Sequence, residues 1–153
     1  MTKDLFLAIL SMDAYNRGYN AGIDGLSDEI GTQIGDATIS NRTSSLPNSP
    51  EVDASFYAVA YEWDGETIIS YRGTDSLATL PWSDQGGDIW NGYGTGAGSD
   101  TSAQARWAAE FYQAMTGTQT SDPLTGSATL TGHSLGDGLA RKGVILLYCT
   151  CII

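Results

Sequence analysis

The sequence predicts a mixed α/β fold, and three observations carry that prediction. The dipeptide Asp64-Gly65 separates two runs rich in aromatic and β-branched residues, the mark of a hairpin. A T-x-x-Q box, Thr101 to Gln104, opens an amphipathic stretch, the mark of a helix start. The short apolar run SATLTG leads into a serine flanked by glycines and then into helical spacing. Strands and helices that alternate in this way bury their apolar faces by packing helices on a sheet. The chain has 153 residues, 41% of them hydrophobic, which fits one globular domain, 1–153.

Leu5, Phe6, Ile9, Leu10 and Tyr15 recur at helical spacing, so the chain should begin with a helix whose core face carries them. The run LFLAIL within it is too short to span a bilayer and lacks the flanks of an export signal. Residues 16 to 50 are rich in Gly, Asn, Ser, Asp and Pro and read as loop, with one short strand at Ala37 to Ser40. Next come SFYAVAYEW and ETIISYRG, with strands expected near 55 to 62 and 66 to 72. Residues 75 to 100 have no steady period and embed Trp82, Trp90 and Tyr93; loops this long in compact domains are often binding loops or lids.

After the capping box, Ala103, Trp107, Phe111, Ala114 and Met115 share one face of the expected helix. Gly117 supplies the positive φ wanted just past its end. Charge then narrows the partners. Eighteen acidic against seven basic side chains give a net charge of -11, which repels phosphate backbones and anionic lipid head groups, so nucleic acid is excluded as a partner. No membrane span is expected either. Cys149 and Cys151 form a C-x-C pair with poor disulfide geometry and too few ligands for zinc, so no metal is assigned.

Gly132-His133-Ser134-Leu135-Gly136 matches G-x-S-x-G between an expected strand and an expected helix, the setting of a nucleophile elbow. Gly132 and Gly136 let the strand turn sharply into the helix and leave the serine hydroxyl at the helix N-terminus. The backbone N-H of Leu135 can then stabilise an oxyanion on an attacked carbonyl.

TGHSLGDGLA resembles the T-G-H-S-L-G-G-A-L-A elbow of class 3, fungal-type lipases, which are α/β-hydrolases acting on carboxylic esters. IISYRGTD resembles that family's strand ending in F-R-G-T or F-R-G-S, and the resemblance assigns the second oxyanion donor to Thr74. It covers roughly residues 55 to 140 and implies the N-terminal portion of an α/β-hydrolase fold: a mixed, mostly parallel sheet flanked by helices. It implies Ser134 as nucleophile, Thr74 and Leu135 as the oxyanion hole, and a lipid or small-ester substrate. A lid is expected in or beside the stretch after Thr74, with Trp82 and Trp90 near its mouth. No metal or organic cofactor is called for, because acyl transfer to serine needs none. The family is often secreted, but no signal is visible, and the sequence assigns no compartment.

The sequence departs from that family after the serine. Nineteen residues follow Ser134 without a histidine, and the one acid among them is Asp137, where the family has glycine. His133 is the sole histidine; immediately before the nucleophile it is read as a structural, hydrogen-bonded side chain rather than the base. RKGVILLYCTCII has no acid at all, the composition change that a shifted reading frame or a premature stop would produce, with a naturally short variant as the alternative. Two alternatives stand beside an active esterase: a catalytically dead lipase-like chain, or half of an enzyme completed by another chain. A sheet cut short would expose an edge, so homo-oligomerisation through that edge is expected.

Overall fold

The computed structural model describes residues 1–18, 21–45, 56–72, 103–117 and 127–133. They form α1 (Lys3–Tyr15), β1 (Gln33–Ile34), β2 (Ala37–Arg42), a single 3-10 turn (Thr43–Ser45), β3 (Ala58–Trp63), β4 (Glu66–Tyr71), α2 (Ala103–Thr116) and β5 (Thr129–Gly132). The five strands make one sheet in the order β1-β2-β3-β4-β5, flanked by helices. No helix among the described residues is long and apolar enough to cross a membrane.

Strand alternation sends successive side chains to opposite faces and so builds two cores. On one face Val59, Tyr61 and Ile68 pack with Phe6, Leu7, Leu10 and Ala14 of α1. On the other, Ala58, Ala60, Ile69, Tyr71 and Leu130 pack with Ala108, Phe111 and Tyr112 of α2.

The hairpin forms where the sequence places it. Asp64 and Gly65 have φ of 51° and 78°, the two positive values of a type I′ turn, and β3 pairs with β4 from Ala58↔Tyr71 to Trp63↔Glu66. Helix α2 also ends as expected: Gly117 has φ 69° and its N-H donates to the Gln113 carbonyl at 2.9 Å. Thr101 and Ser102 of the capping box lie outside the described residues.

Three expectations are corrected. The described strands are mostly antiparallel; β4 and β5 are the one parallel pair among them. Short reversals between β1 and β2 and between β3 and β4 force antiparallel pairing, whereas the long connection from β4 to β5 carries α2 and permits the parallel one. Helix α1 is rotated from the expected face: Leu5 is 56% and Ile9 38% exposed, while Phe6, Leu7, Leu10, Ser11 and Ala14 are buried. Five of its residues from 5 to 10 are apolar at large side chains, so periodicity alone fixed the buried arc poorly, and the small Ser11 and Ala14 allow a closer approach to the sheet. Ser11 is satisfied within the helix by donating to the Ala8 carbonyl at 2.8 Å. In α2, Ala114 is exposed and Gln104, Ala108 and Tyr112 take the buried stripe with Phe111.

The stretch from 16 to 50 also holds more structure than expected. Strand β1 had no signal, being two residues long, and β2 runs two residues past Ser40. Buried Thr43 closes the exit of β2: its hydroxyl donates to the Ala58 carbonyl at 3.0 Å and accepts from the Ala58 N-H at 2.7 Å.

Candidate functional site

The first residues of the two sequence motifs are neighbours through the parallel pair. Ile68, Ile69, Ser70 and Tyr71 of β4 stand beside Thr129, Leu130, Thr131 and Gly132 of β5. Tyr71 and Gly132, the first residues of Tyr-Arg-Gly-Thr and Gly-His-Ser-Leu-Gly, therefore stand side by side at the C-terminal ends of adjacent parallel strands, where open α/β sheets place their ligand crevices. Gly132 closes β5 and is half-buried; His133, the next residue, is exposed. Thr74, Trp82, Trp90, Ser134, Leu135 and Gly136 lie outside the described residues.

The opposite ends of the two strands are also tied. Glu66 accepts from the Thr129 hydroxyl and from Lys3 Nζ, the latter at 2.6 Å. Those two hydrogen bonds hold the Glu66 carboxyl below its ordinary pKa, the Lys3 bond first. Thr131 donates to the Leu7 carbonyl at 3.3 Å and Tyr71 to the Ala108 carbonyl at 3.0 Å, so each helix grips the pair from its own face.

At the C-terminal end, polar side chains are buried. Arg72, the first residue past β4, is 3% exposed. Its guanidinium lies 4.8 Å from the Tyr57 ring centroid, its Nη1 donates to the Arg17 carbonyl at 3.2 Å, and its N-H donates to the Tyr57 carbonyl at 2.9 Å. Arg17 is fixed in turn. It meets Asp13 with two bonds of 2.6 and 2.7 Å and also donates to the Ser27 carbonyl. Tyr61 donates to Asp13 at 2.8 Å, and Tyr57 to Asp28 at 3.2 Å. Asp28 is also paired with Arg42.

Burial, reinforced by the negative charge of Asp13, pushes the Tyr61 hydroxyl pKa well above its ordinary value. The hydrogen bond that Arg17 donates to Asp13 raises the Arg17 pKa against an opposing desolvation. Gly18 follows Arg17 with φ 75°, and a Cβ there would stand 2.3 Å from Tyr57 Cε2. The backbone passes so close to the ring that only glycine fits.

His133 packs against the same segment. Its ring meets that of Tyr15 edge-on, with centroids 6.0 Å apart and planes at 78°. The contact of the exposed His133 ring is thus an aromatic one to the end of α1.

Sequence reasoning missed Asp13, Arg17, Tyr57 and Arg72. A signal existed for two of them: Asp13 and Arg17 are an acid-base pair four residues apart at a helix end. Arg72, one charge closing the apolar run of β4, stood inside a motif already noticed. Compared with protein-family models, curated proteins and solved structures, the chain matches none of them.

Proposed function

We propose that the protein is a serine carboxylic-ester hydrolase, a lipase or esterase of α/β-hydrolase type, acting on lipid or small-ester substrates. One observation supports the reading: the parallel register Tyr71↔Gly132 sets the first residues of the two motifs beside each other at one end of the sheet. Ser134 follows Gly132 by two residues and Thr74 follows Tyr71 by three, on strands that lie about 4.8 Å apart. In this reading Ser134 Oγ attacks the ester carbonyl carbon while the N-H of Leu135 and Thr74 hold the developing oxyanion. The alcohol leaves with a proton, and water then releases the acid from the acyl-serine. Trp82 and Trp90 belong to the lid or substrate mouth. No base is assigned among the described residues.

His133 favours a second reading, an acyl-binding protein without turnover. It is the single histidine of the sequence, and its ring is set against Tyr15. Loss of the base in a comparable triad costs about a millionfold in rate, with about a thousandfold acceleration over water left from the oxyanion hole and binding. Completion by another chain would restore the base, and the edge of β5 away from β4 faces no strand among the described residues. A fluorophosphonate probe and a short-chain p-nitrophenyl ester separate the readings. The hydrolase reading expects labelling at Ser134 and hydrolysis above a Ser134→Ala control. Neither effect above that control would leave the binding protein.

A further inference from the structure

We infer that the end of α1 and the two residues after it, Tyr15 to Arg17, are a shared anchor for the two strand ends that carry the motifs, and that Arg72 is the positioning residue for Thr74. The inference deepens the ester-hydrolase reading and rests on it. The parallel ladder ends at Tyr71 and Gly132, so beyond those residues the sheet no longer holds the two chains in register. Past the ladder, each chain makes a contact to the same turn: Arg72 donates to the Arg17 carbonyl at 3.2 Å, and His133 packs on the Tyr15 ring at 6.0 Å.

The turn is itself immobilised, because Asp13 receives two bonds from Arg17 and one from Tyr61. Filling space at the end of a buried strand requires only an apolar side chain. A buried guanidinium is costly unless its donors are met, and it offers two features that an apolar group lacks: a flat face for Tyr57 and directed donors for a carbonyl. Arg72 uses both features, and its own N-H also returns to Tyr57. It thereby fixes the point from which residues 73 and 74 depart. A donor displaced by about 1 Å from an oxyanion can cost up to about a hundredfold in rate.

The test compares Arg72→Lys and Tyr15→Leu with the wild-type chain of 153 residues. Tyr15→Leu loosens the anchor from the β5 side without touching a charge, and so covers the case in which the Arg72 variant fails to fold. Two readouts are taken on each: amide exchange along the chain, and the rate of Ser134 phosphonylation by a fluorophosphonate.

Arg72→Lys is expected to speed exchange of the amides at 72 to 74 about tenfold while those of α2 keep their wild-type rates. Phosphonylation should slow about tenfold to a hundredfold. Methylguanidinium at millimolar concentration should restore part of the rate to Arg72→Ala, which a general loss of stability would not allow. Tyr15→Leu should slow phosphonylation with a local change at 132 and 133. Uniform acceleration of exchange, or unaltered phosphonylation despite local loosening, overturns the inference. If wild-type Ser134 is not labelled above Ser134→Ala, the hydrolase reading fails and the catalytic purpose of Arg72 falls with it, while local exchange still decides whether the anchor exists.

Discussion

Gly18→Ala perturbs the anchor at its tightest point. Two effects set the magnitude. Alanine at φ 75° carries left-handed strain of about 1–2 kcal/mol. Its Cβ would also lie 2.3, 2.5 and 2.9 Å from Cε2, Cζ and Cδ2 of Tyr57, so the buried ring must retreat by about 1 Å to reach ordinary contact near about 3.5 Å. Overpacking of this kind costs about 1–3 kcal/mol. The ring is also the stacking surface for Arg72, and its hydroxyl is a donor to Asp28, so its retreat weakens both contacts.

Gly25→Ala is the matched control. Gly25 has φ 85° with nothing within 4 Å of its Cβ position, so it carries the same strain without the clash. The loss of chain entropy on replacing glycine is common to both variants and cancels in the difference. Urea denaturation should therefore show Gly18→Ala less stable than Gly25→Ala by about 1–3 kcal/mol with an unchanged m-value. A difference below about 0.5 kcal/mol would refute the close approach of residue 18 to Tyr57, and with it the tight seat beneath Arg72.

The same packing sets three further outcomes. Asp13→Ala strands the buried guanidinium of Arg17 and should cost about 3–5 kcal/mol by denaturation, against about 1 kcal/mol for Tyr61→Phe, which removes one donor to the same carboxylate. Glu66 has its folded pKa lowered by Lys3 and Thr129, so its contribution is present above the ordinary carboxylate range and is lost as the pH falls through the lower folded value. The stability gap between wild type and Glu66→Gln should accordingly shrink on acidification, and a pH-independent gap would show that the carboxylate gains nothing from its two donors. Leu10→Ala should cost about 2–5 kcal/mol and Leu5→Ala within about 0.5 kcal/mol, an ordering that a helix turned to its expected face would bring level.

The legible part of the sequence was local. Asp64-Gly65 specified its turn because few residues tolerate positive φ twice in succession, and Gly117 marked the end of α2 for the same reason. The rotation of α1 was not legible, since Leu5, Phe6, Leu7, Ile9 and Leu10 wrap more of the helix than one face can bury. The buried side is the one that also carries the small Ser11 and Ala14. Strand direction was misjudged because the resemblance supplied a mostly parallel sheet, whereas the short connections β1–β2 and β3–β4 impose antiparallel pairs and β2–β3 is antiparallel as well.

At the site, both motifs were visible, but the adjacency of Tyr71 and Gly132, where they begin, was not. It depends on the pairing of β4 with β5 across 61 residues from Ile68 to Thr129, a separation that no local pattern encodes. The buried positions of Arg17 and Arg72 were hidden for a related reason. Charged residues read as surface until their partners are known, and Arg72 finds its partners in the residue leading into β3 and at the end of α1.

A crystal structure of the chain after treatment with a fluorophosphonate tests the proposed acyl-transfer site most directly. Phosphorus should be bonded to Ser134 Oγ, with the phosphoryl oxygen about 2.7–3.1 Å from the Leu135 N-H and from a donor of Thr74. An unmodified Ser134 enclosed by packed side chains, or an adduct whose oxygen points away from residue 74, would contradict it.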